Sequence, residues 1–431
     1  MAATAPIPVE AAADLIRPVD AIGIPLGPGQ PAAFLHALAG RGDYEDLRIY
    51  GALLVDFYEV FTRQGVRHLS GFFGPVERLL ADAGHDVQFV PSDFRRFTPL
   101  LEREAPRVMA TAATPPDADG YVSLSLHAGA TVRELHRAGA DPDRVLLVEV
   151  NPNLPRTSGL PPHYPHRLHV DEIDVMVQSD RQPFVLDEPP ATDVERAIAE
   201  HACRFISDGC TLQTGIGGVP STIVKLLSEQ PGGDYGVHSE MFTTGLMHLH
   251  RAGKVTNRKG GEYDGFSVTT FAAGTAELYE WLDGNDEVRF LPVDRVNSPE
   301  VIAAQRKMVT INGALCVDLH GQVVADTIGG RQYSGIGGHE DFVSAPGLEL
   351  EDRSLVCLPS TTTVDGQLVS RIVGTLPAGW VITTPRHQLD VVVTEFGAAE
   401  LRGLTVRERA LALAEVAHPD FRDELREQAL S

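Results

Sequence analysis

Residues 145–150 read Val-Leu-Leu-Val-Glu-Val, a short run of aliphatic side chains broken by one acid. Similar apolar runs recur at residues 175–177, 268–271 and 391–393. Between some of these runs the apolar residues have helical spacing, as at residues 194–202. Near-continuous apolar strands that alternate with amphipathic helices are typical of mostly parallel sheets covered by helices. The sequence therefore predicts an α/β fold.

The chain has 431 residues, too many for one ordinary core and suited to two domains of roughly 200 residues each. The polar segment from Ser179 to Thr192 contains three prolines and leads into a helix that starts at Thr192 or Asp193. We place the boundary there, with one α/β domain at residues 1–185 and a second at residues 192–431. Each half has a glycine turn before a helix, as a duplicated unit would.

Composition excludes several classes of function. The formal net charge of −23 argues against a general nucleic-acid surface, which needs a basic face. No apolar run approaches the roughly 20 residues that span a bilayer, and the N-terminus lacks the features of a secretory signal. Four cysteines without a Cys-x-x-Cys pair are interpreted as buried thiols in a reducing compartment. We therefore expect a cytoplasmic enzyme with no membrane partner and no nucleic-acid partner.

Residues 236–245 read Gly-Val-His-Ser-Glu-Met-Phe-Thr-Thr-Gly, which isolates the carboxylate of Glu240 among apolar and small hydroxylic residues. Glycine-rich turns precede it at residues 215–220 and follow it at residues 334–338. Such loops present backbone N–H groups that can stabilise an oxyanion or bind a phosphate. The combination indicates covalent chemistry on a carbonyl, with Glu240 as the candidate nucleophile.

Each motif also has an interpretation that requires no functional role. The first turn could be purely structural, and Pro220 stands where a dinucleotide fingerprint would have glycine. The cluster of Lys254, Arg258 and Lys259 is interpreted as a solvated charged loop, with phosphate pairing as the alternative. The histidines at residues 163–169 lie among prolines that prevent a helix, so we predict no metal site.

Many ordered motifs make the chain resemble the acetyl-CoA hydrolase/transferase family of class I CoA-transferases, which includes 4-hydroxybutyrate CoA-transferase and butyryl-CoA:acetate CoA-transferase. The likeness extends from about residue 72 to the C-terminus. Its motifs are Pro-Pro-Asp at 115–117, Asn-Pro-Asn-Leu-Pro-Arg at 151–156, Gly-Ile-Gly at 215–217, His-Ser-Glu-Met at 238–241, Ser-Gly-Ile-Gly-Gly at 334–338, Thr-Glu-Phe-Gly at 394–397 and Ala-His-Pro-Asp-Phe-Arg at 417–422.

The resemblance implies two similar open α/β domains with mostly parallel sheets and an active site between them. It implies that Glu240 carries a glutamyl-CoA thioester. The implied CoA-binding residues are Gly215, Ile216, Gly217, Gly218, Val219, Asn312, Gly337 and Gly338. Gln213 and His339 are expected in the substrate pocket. No metal and no cofactor beyond CoA itself is implied, and the expected assembly is a homodimer or higher homo-oligomer.

The resemblance implies transfer of CoA from acetyl-CoA or another short-chain acyl-CoA to a short-chain carboxylic acid, by a ping-pong mechanism. An acyl-CoA hydrolase that uses the same glutamate is one alternative, and a catalytically silent CoA-binding protein is another. Two departures from the family pattern leave the acceptor acid open. His339 replaces a frequent glutamine, and residues 349–353 are acidic where relatives often have lysine and glycine.

Overall fold

The computed structural model describes residues 5–430. The chain divides into two compact units, one formed by Met1–Leu186 with Val268–Val296 and one by Asp187–Ser267 with Asn297–Ser431. The break after residue 186 lies in the polar segment chosen as the boundary. Residues 268–296, however, group with the first unit because their backbone bonds to it, as in the bond from the Val293 N–H to the Gly129 carbonyl at 3.0 Å. The family domains at 1–185 and 192–431 stay a prediction.

The strands of the described residues are β1 Val19–Gly23, β2 Asp46–Gly51, β3 Val66–Ser70, β4 Val87–Phe89, β5 Val108–Ala113, β6 Tyr121–Ser123, β7 Val145–Val150, β8 Arg167–His169, β9 Val175–Gln178, β10 Thr211–Thr214, β11 Gly236–Val237, β12 Met241–Phe242, β13 Ser267–Thr269, β14 Phe271–Ala272, β15 Val288–Phe290, β16 Met308–Gly313, β17 Cys316–Asp318, β18 Val323–Val324, β19 Thr327–Ile328, β20 Arg331–Gln332, β21 Arg353–Cys357, β22 Thr361–Val364, β23 Gln367–Ser370, β24 Ile372–Val373, β25 Val391–Thr394 and β26 Gly397–Glu400.

The helices of the same residues are α1 Val9–Ala13, α2 Ala32–Leu38, α3 Pro75–Asp82, α4 Phe97–Glu104, α5 Val132–Ala140, α6 Asp193–Cys203, α7 Gly218–Glu229, α8 Thr244–Arg251, α9 Ala276–Leu282, α10 Val293–Val296, α11 Pro299–Ala303, α12 His339–Ser344, α13 Val406–Glu415 and α14 Pro419–Leu430. Short 3₁₀ turns occur at Gly27–Gly29, Glu59–Thr62, Phe94–Arg96 and Val170–Glu172.

The first unit contains a seven-stranded sheet in the order β4-β3-β2-β1-β5-β7-β9. All of its strand pairs are parallel. The predicted strand at residues 145–150 is β7, and five of its six residues are buried. Side chains from the sheet and from α2 share one apolar core that includes Ile22, Phe34 and Leu47. The α/β prediction is therefore confirmed for this unit.

The second unit contains a six-stranded sheet in the order β11-β10-β16-β21-β25-β26. Its strand pairs are parallel except for the last, in which β26 returns antiparallel to β25. One core of this unit packs β21 and β25 against α13 through residues such as Val356, Val392 and Leu413. Each unit is thus an open and mostly parallel α/β layer, as the resemblance implied.

Local sequence explains where the helices begin. Thr192 caps α6 through a reciprocal pair of bonds with Glu195, so the predicted helix start is confirmed. The helix after the first glycine turn was expected to follow Pro220, but α7 already starts at Gly218. Proline fits the first turn of a helix because the N–H it lacks would have no partner inside the helix there. The predicted strand at 268–271 is divided between β13 and β14.

The four cysteines are free thiols, of which Cys203 is half-buried and the other three are buried. Within residues 5–430, no helix has the length and apolar character needed to cross a membrane. Residues 1–4, part of the segment that was judged to lack a secretory signal, lie outside the described residues.

Candidate active site

In the second sheet β10 lies between β11 and β16, and the C-terminal ends of these three parallel strands lie at the same end of the sheet. The chain runs from β10 to β11 on one side and later returns to pair β16 on the other side of β10. Ligands of open α/β sheets bind outside the carboxyl ends of strands at such a reversal of order. Gly215 follows the end of β10, Glu240 follows β11, and Asn312 lies in the last part of β16. The topology therefore brings three motifs that are far apart in the sequence to the same end of the sheet.

The first glycine turn presents an open backbone at the start of a helix. Gly217 caps α7 with a φ of +113°, a value that favours glycine. A Cβ atom added to Gly215 or Gly217 would meet no heavy atom within 4 Å. The intervening Ile216 is 52% exposed. Backbone and helix terminus are thus arranged so that an anionic group could approach closely.

Ser239 ties this turn to the segment that carries Glu240. Its hydroxyl accepts a hydrogen bond from the Thr214 N–H at 3.3 Å and donates one to the Thr214 carbonyl at 3.1 Å. Thr214 is the last residue of β10 and immediately precedes the turn. The small hydroxyl therefore fixes the position of the turn relative to the neighbouring carboxylate.

The carboxylate of Glu240 lies between an amide and a glycine. Its Oε2 accepts a hydrogen bond of 2.6 Å from Asn297 Nδ2. A Cβ atom added to Gly338 would lie 1.9 Å from this same Oε2. Gly338 itself is buried at the start of α12 and has an ordinary φ of −93°. The absence of a side chain at this position is what allows the close approach of backbone and carboxylate.

Burial changes the acidity of Glu240. Removal of the carboxylate from water raises its pKa to about 7, and the bond from Asn297 opposes that increase only in part. This pKa lies well above the ordinary glutamate value of 4.5. At neutral pH the acid and its anion are present in comparable amounts. A pKa shifted close to neutral pH is characteristic of catalytic groups.

His339 is committed to a local hydrogen-bond network. Its Nε2 lies 2.9 Å from Thr384 Oγ1, and the Thr384 hydroxyl in turn donates to Glu340. Because that hydroxyl hydrogen is used, the ring must donate through Nε2–H. Burial lowers the pKa of His339 to about 4, so the ring is neutral at physiological pH. These contacts anchor the start of α12, and the expected place of His339 in the substrate pocket stays a prediction.

The other two predicted side chains lie where β10 meets β16. Gln213 is buried, and its Oε1 accepts a hydrogen bond of 3.0 Å from the Ile311 N–H. The Asn312 amide lies 3.5 Å from the same oxygen, and the residue is half-buried. Gln213 thus links the two strands, while Asn312 is the more accessible of the pair. Their roles toward substrate and CoA stay predictions.

The basic cluster after Glu240 does not form a uniform solvated loop. Arg258 pairs with Asp234 at 2.6 Å and is exposed. Lys259 is instead fully buried, and burial lowers its pKa to about 7. Its Nζ donates to the Val237 carbonyl at 3.2 Å, while the Val237 N–H donates to Asn257 Oδ1 at 3.0 Å. Both polar groups of this β11 residue are thereby satisfied by side chains, and the solvated-loop interpretation is wrong for Lys259.

The histidine-rich segment is used for packing and hydrogen bonding. His166 is buried and its Nε2 lies 2.9 Å from the Ser125 carbonyl. Across residues 5–430, no group of three or more His, Cys, Asp or Glu side chains is arranged to hold a metal ion.

Two residues near Glu240 were missed by the sequence analysis. Asn297 donates to Glu240 from 57 positions away in the chain, and it also donates to Asp341 Oδ2 at 2.9 Å. Both Asn297 and Asp341 are fully buried. The available signal for Asn297 was its place just before Ser298 and Pro299, which start a helix. That signal indicates a helix start and says nothing about a neighbouring carboxylate.

Comparison with known proteins gives a consistent result. The sequence model of the acetyl-CoA hydrolase/transferase C-terminal domain matches residues 274–429. A succinyl-CoA:cyclohexane-1-carboxylate CoA transferase from Geobacter metallireducens is 36% identical over 98% of this chain and 94% of its own length. A 4-hydroxybutyrate coenzyme A transferase from Clostridium kluyveri is 36% identical over 92% of this chain and 90% of its own length.

The solved structures agree. RipA from Yersinia pestis superposes with a TM-score of 0.89 at 33% sequence identity, covering 98% of this chain and 96% of RipA. The similarity in sequence and in structure thus extends over nearly the whole chain.

Proposed function

The chain belongs to the acetyl-CoA hydrolase/transferase family of CoA-transferases, and we propose that it moves CoA from a short-chain acyl-CoA to a short-chain carboxylic acid with Glu240 as the covalent nucleophile. The observation that carries this proposal is the half-buried Glu240 carboxylate, whose pKa is raised to about 7 and which contacts both Asn297 and Gly338. The relatives with full-length similarity are named CoA transferases. CoA is accordingly a substrate of the enzyme.

The first half-reaction begins with the ionised form of Glu240. One carboxylate oxygen forms a bond to the thioester carbon of the acyl-CoA, and the carbon–sulfur bond breaks to release the CoA thiolate. The thiolate then attacks the Glu240 side-chain carbon, so that a carbon–sulfur bond forms and the acyl carboxylate leaves. The product is a glutamyl-CoA thioester. The acceptor carboxylate reverses both steps, and no net proton is gained or lost.

The hydrogen bond from Asn297 to Oε2 supports different roles for the two carboxylate oxygens of Glu240. Attack through Oε1 preserves the hydrogen bond from Asn297 to Oε2. When a nucleophile adds to the side-chain carbon, Oε2 takes up the negative charge and the Asn297 N–H faces it. Fixed donors of this kind lower the barrier, and loss of one typically costs about 3–4 kcal/mol. We assign the open turn at Gly215, Ile216, Gly217, Gly218 and Val219, together with Asn312, Gly337 and Gly338, to CoA binding.

Trapping of the covalent intermediate tests this proposal directly. After incubation with acetyl-CoA and reduction with borohydride, the thioester becomes an alcohol that peptide mass spectrometry detects. We expect modification at Glu240 and none at Glu149, a buried glutamate whose pKa is also raised by burial. Glu149 is held by the N–H groups of Ala33 and Phe34. An unmodified Glu240 peptide after turnover would contradict the nucleophile assignment.

A hydrolase using the same glutamate is the second candidate, because the matching family joins hydrolases with transferases. In that reaction water replaces the acceptor acid. We expect added acetate, propionate or butyrate to form new acyl-CoA much faster than CoA is released without an acceptor. Product analysis by chromatography separates the two outcomes. Release of free CoA at one rate, with or without the acids, would identify a hydrolase, and binding without turnover would indicate a silent CoA-binding protein.

The acceptor acid, the cytoplasmic location, the homodimeric or higher assembly and the lack of any further cofactor stay predictions. His339 is fixed by Thr384, which supports an indirect influence on specificity through the position of α12.

A further inference from the structure

Asp341 and Glu240 both accept a hydrogen bond from the side-chain amide of Asn297. The Nδ2 atom of Asn297 is 2.6 Å from Glu240 Oε2 and 2.9 Å from Asp341 Oδ2. Asp341 is the third residue of α12, and Asn297 immediately precedes the cap of α11. Asn297 and Asp341 are both 0% exposed. Two carboxylates from distant parts of the chain therefore share one buried amide group.

The two carboxylates together determine how the amide is oriented. A side-chain amide nitrogen carries two hydrogens, and here one is directed at each carboxylate. A rotation of the amide by half a turn would place its oxygen against both acids, and an ionised carboxylate has no hydrogen to donate to that oxygen. Within residues 5–430, Asn297 Oδ1 has no hydrogen-bond partner that would favour either orientation. The orientation thus depends on the acids alone.

These acids differ in what happens to them during the proposed reaction. Glu240 loses its charge when it becomes an anhydride or a thioester, whereas Asp341 takes part in no bond exchange. We propose that Asp341 is a positioning residue that keeps the Asn297 N–H directed at residue 240 while that residue is covalently modified. This inference rests on the proposed nucleophilic role of Glu240.

The proposal makes Asp341 important for rate and not for substrate binding. In the free enzyme the charged Glu240 still attracts the Asn297 N–H, so the complex with acyl-CoA forms normally. When the thiolate or the acceptor attacks the modified side chain, the donor must already face the developing oxyanion. Without Asp341 the amide spends part of its time reversed, and part of the stabilisation by this donor is lost.

The test is a single-turnover measurement on the full-length enzyme with acetyl-CoA, following glutamyl-CoA at residue 240 by quenched-flow mass spectrometry. We expect Asp341→Asn to lower the rate at saturating acetyl-CoA by about 10- to 100-fold. The acetyl-CoA concentration that gives half of this rate should change by less than about twofold. Asparagine has the volume of aspartate but can also donate to a reversed Asn297.

A matched control and a double-mutant cycle separate positioning from a general structural role. Asp318 is also 0% exposed, and its carboxylate accepts from the backbone and side chain of Gln322 at 2.8 and 2.7 Å. Asp318→Asn should change the melting temperature without changing the single-turnover rate. In an Asn297→Ala background, Asp341→Asn should have no further effect on the rate, because Asp341 acts through Asn297.

The outcomes are distinct. If wild-type enzyme forms no thioester at Glu240, the proposed function is overturned and this inference falls with it. If wild-type enzyme forms the thioester and Asp341→Asn forms it equally fast, only the inference is overturned. A full additional loss in the Asn297→Ala background also overturns it, since Asp341 would then act independently. If Asp341→Asn does not fold, Asp341→Ser, which also removes the charge, is measured against the same criteria.

Discussion

Glu240→Gln is expected to lower CoA transfer by about four orders of magnitude or more, the scale seen when a covalent nucleophile is removed. Glutamine has nearly the same volume as glutamate, and its amide oxygen can still accept the hydrogen bond that Asn297 gives to Oε2. The amide is, however, a poor nucleophile toward a thioester. The substitution therefore removes the chemistry while leaving the packing and the hydrogen bond in place. Steady-state transfer from acetyl-CoA to a carboxylate acceptor is the measurement.

Glu149→Gln is the matched control for loss of a buried carboxylate. Glu149 is 2% exposed and has a pKa raised by burial, as Glu240 does, but its carboxylate accepts from backbone N–H groups instead of facing Gly338. This variant should retain transfer activity at a temperature where it is folded. Turnover of a folded Glu240→Gln enzyme at the wild-type rate would rule out the mechanism.

The same Glu240→Gln variant is expected to be more stable than the wild-type protein, but only at high pH. The folded-state pKa of Glu240 is about 7, above its ordinary value of 4.5. Between these two values the unfolded chain has lost the proton that the folded protein keeps, so stability falls as the pH rises through this window. Above pH 7 the penalty is complete and amounts to up to about 3 kcal/mol. Glutamine carries no charge and avoids it.

Urea unfolding at pH 4.5 and pH 8 measures this difference. We expect the stability of the variant relative to wild type to be small at pH 4.5 and to increase by up to about 3 kcal/mol at pH 8. A relative stability that is the same at both pH values would mean that Glu240 has no raised pKa. Opposite changes in activity and stability are expected where a fold retains a strained or desolvated catalytic group.

Gly338→Ala is expected to lower the catalytic rate by about 100-fold while the protein stays folded, because displacement of a reacting group by about 1 Å has an effect of this size. The new Cβ atom would lie 1.9 Å from Glu240 Oε2 and 2.6 Å from Asn297 Nδ2. The backbone at Gly338 has a φ of −93°, which alanine adopts without strain. The whole effect should therefore come from displaced side chains, and transfer kinetics together with thermal unfolding will measure it.

Gly42→Ala provides the comparison for this substitution. A Cβ atom at Gly42 would meet nothing within 4 Å, so activity and melting temperature should both stay near their wild-type values. If Gly338→Ala were as active as Gly42→Ala, the close packing of Gly338 on the carboxylate would have no catalytic importance.

Many strands, helix starts and turns could be predicted, because a few neighbouring residues determine where each of them forms. The run at 145–150 is β7, and the Thr192 cap starts α6 where its capping pattern indicated. Glu240 could be singled out because an acid is unusual among small and apolar residues. The glycines at 215 and 217 could be chosen because a turn with exposed backbone has a recognisable composition. Each of these signals lies within a few residues of the feature it predicts.

The remaining parts of the site depend on contacts between distant residues. Asn297 and Asp341 lie 57 and 44 positions away from the residues they meet, and neither carries a local pattern of its own. The raised pKa of Glu240 follows from enclosure by surrounding atoms, which the sequence does not specify. Lys259 was interpreted as part of a solvated loop because it belongs to a cluster of basic residues, whereas its side chain is fully buried. These errors concern tertiary environment and not secondary structure.

The short strand β11 stands at the edge of its sheet, with the Glu240 segment directly after it. An uncovered edge strand offers free N–H and carbonyl groups on which another polypeptide can add a strand, and this is a common route to aggregation. Here the Asn257 side chain accepts a hydrogen bond from the Val237 N–H, and the Lys259 side chain donates one to the Val237 carbonyl. These side chains take the hydrogen-bonding positions of a neighbouring strand. The N–H and carbonyl groups of Val237 are therefore unavailable to another polypeptide. The residue pair that leads into the Glu240 segment is thereby protected from unwanted β-pairing at Val237.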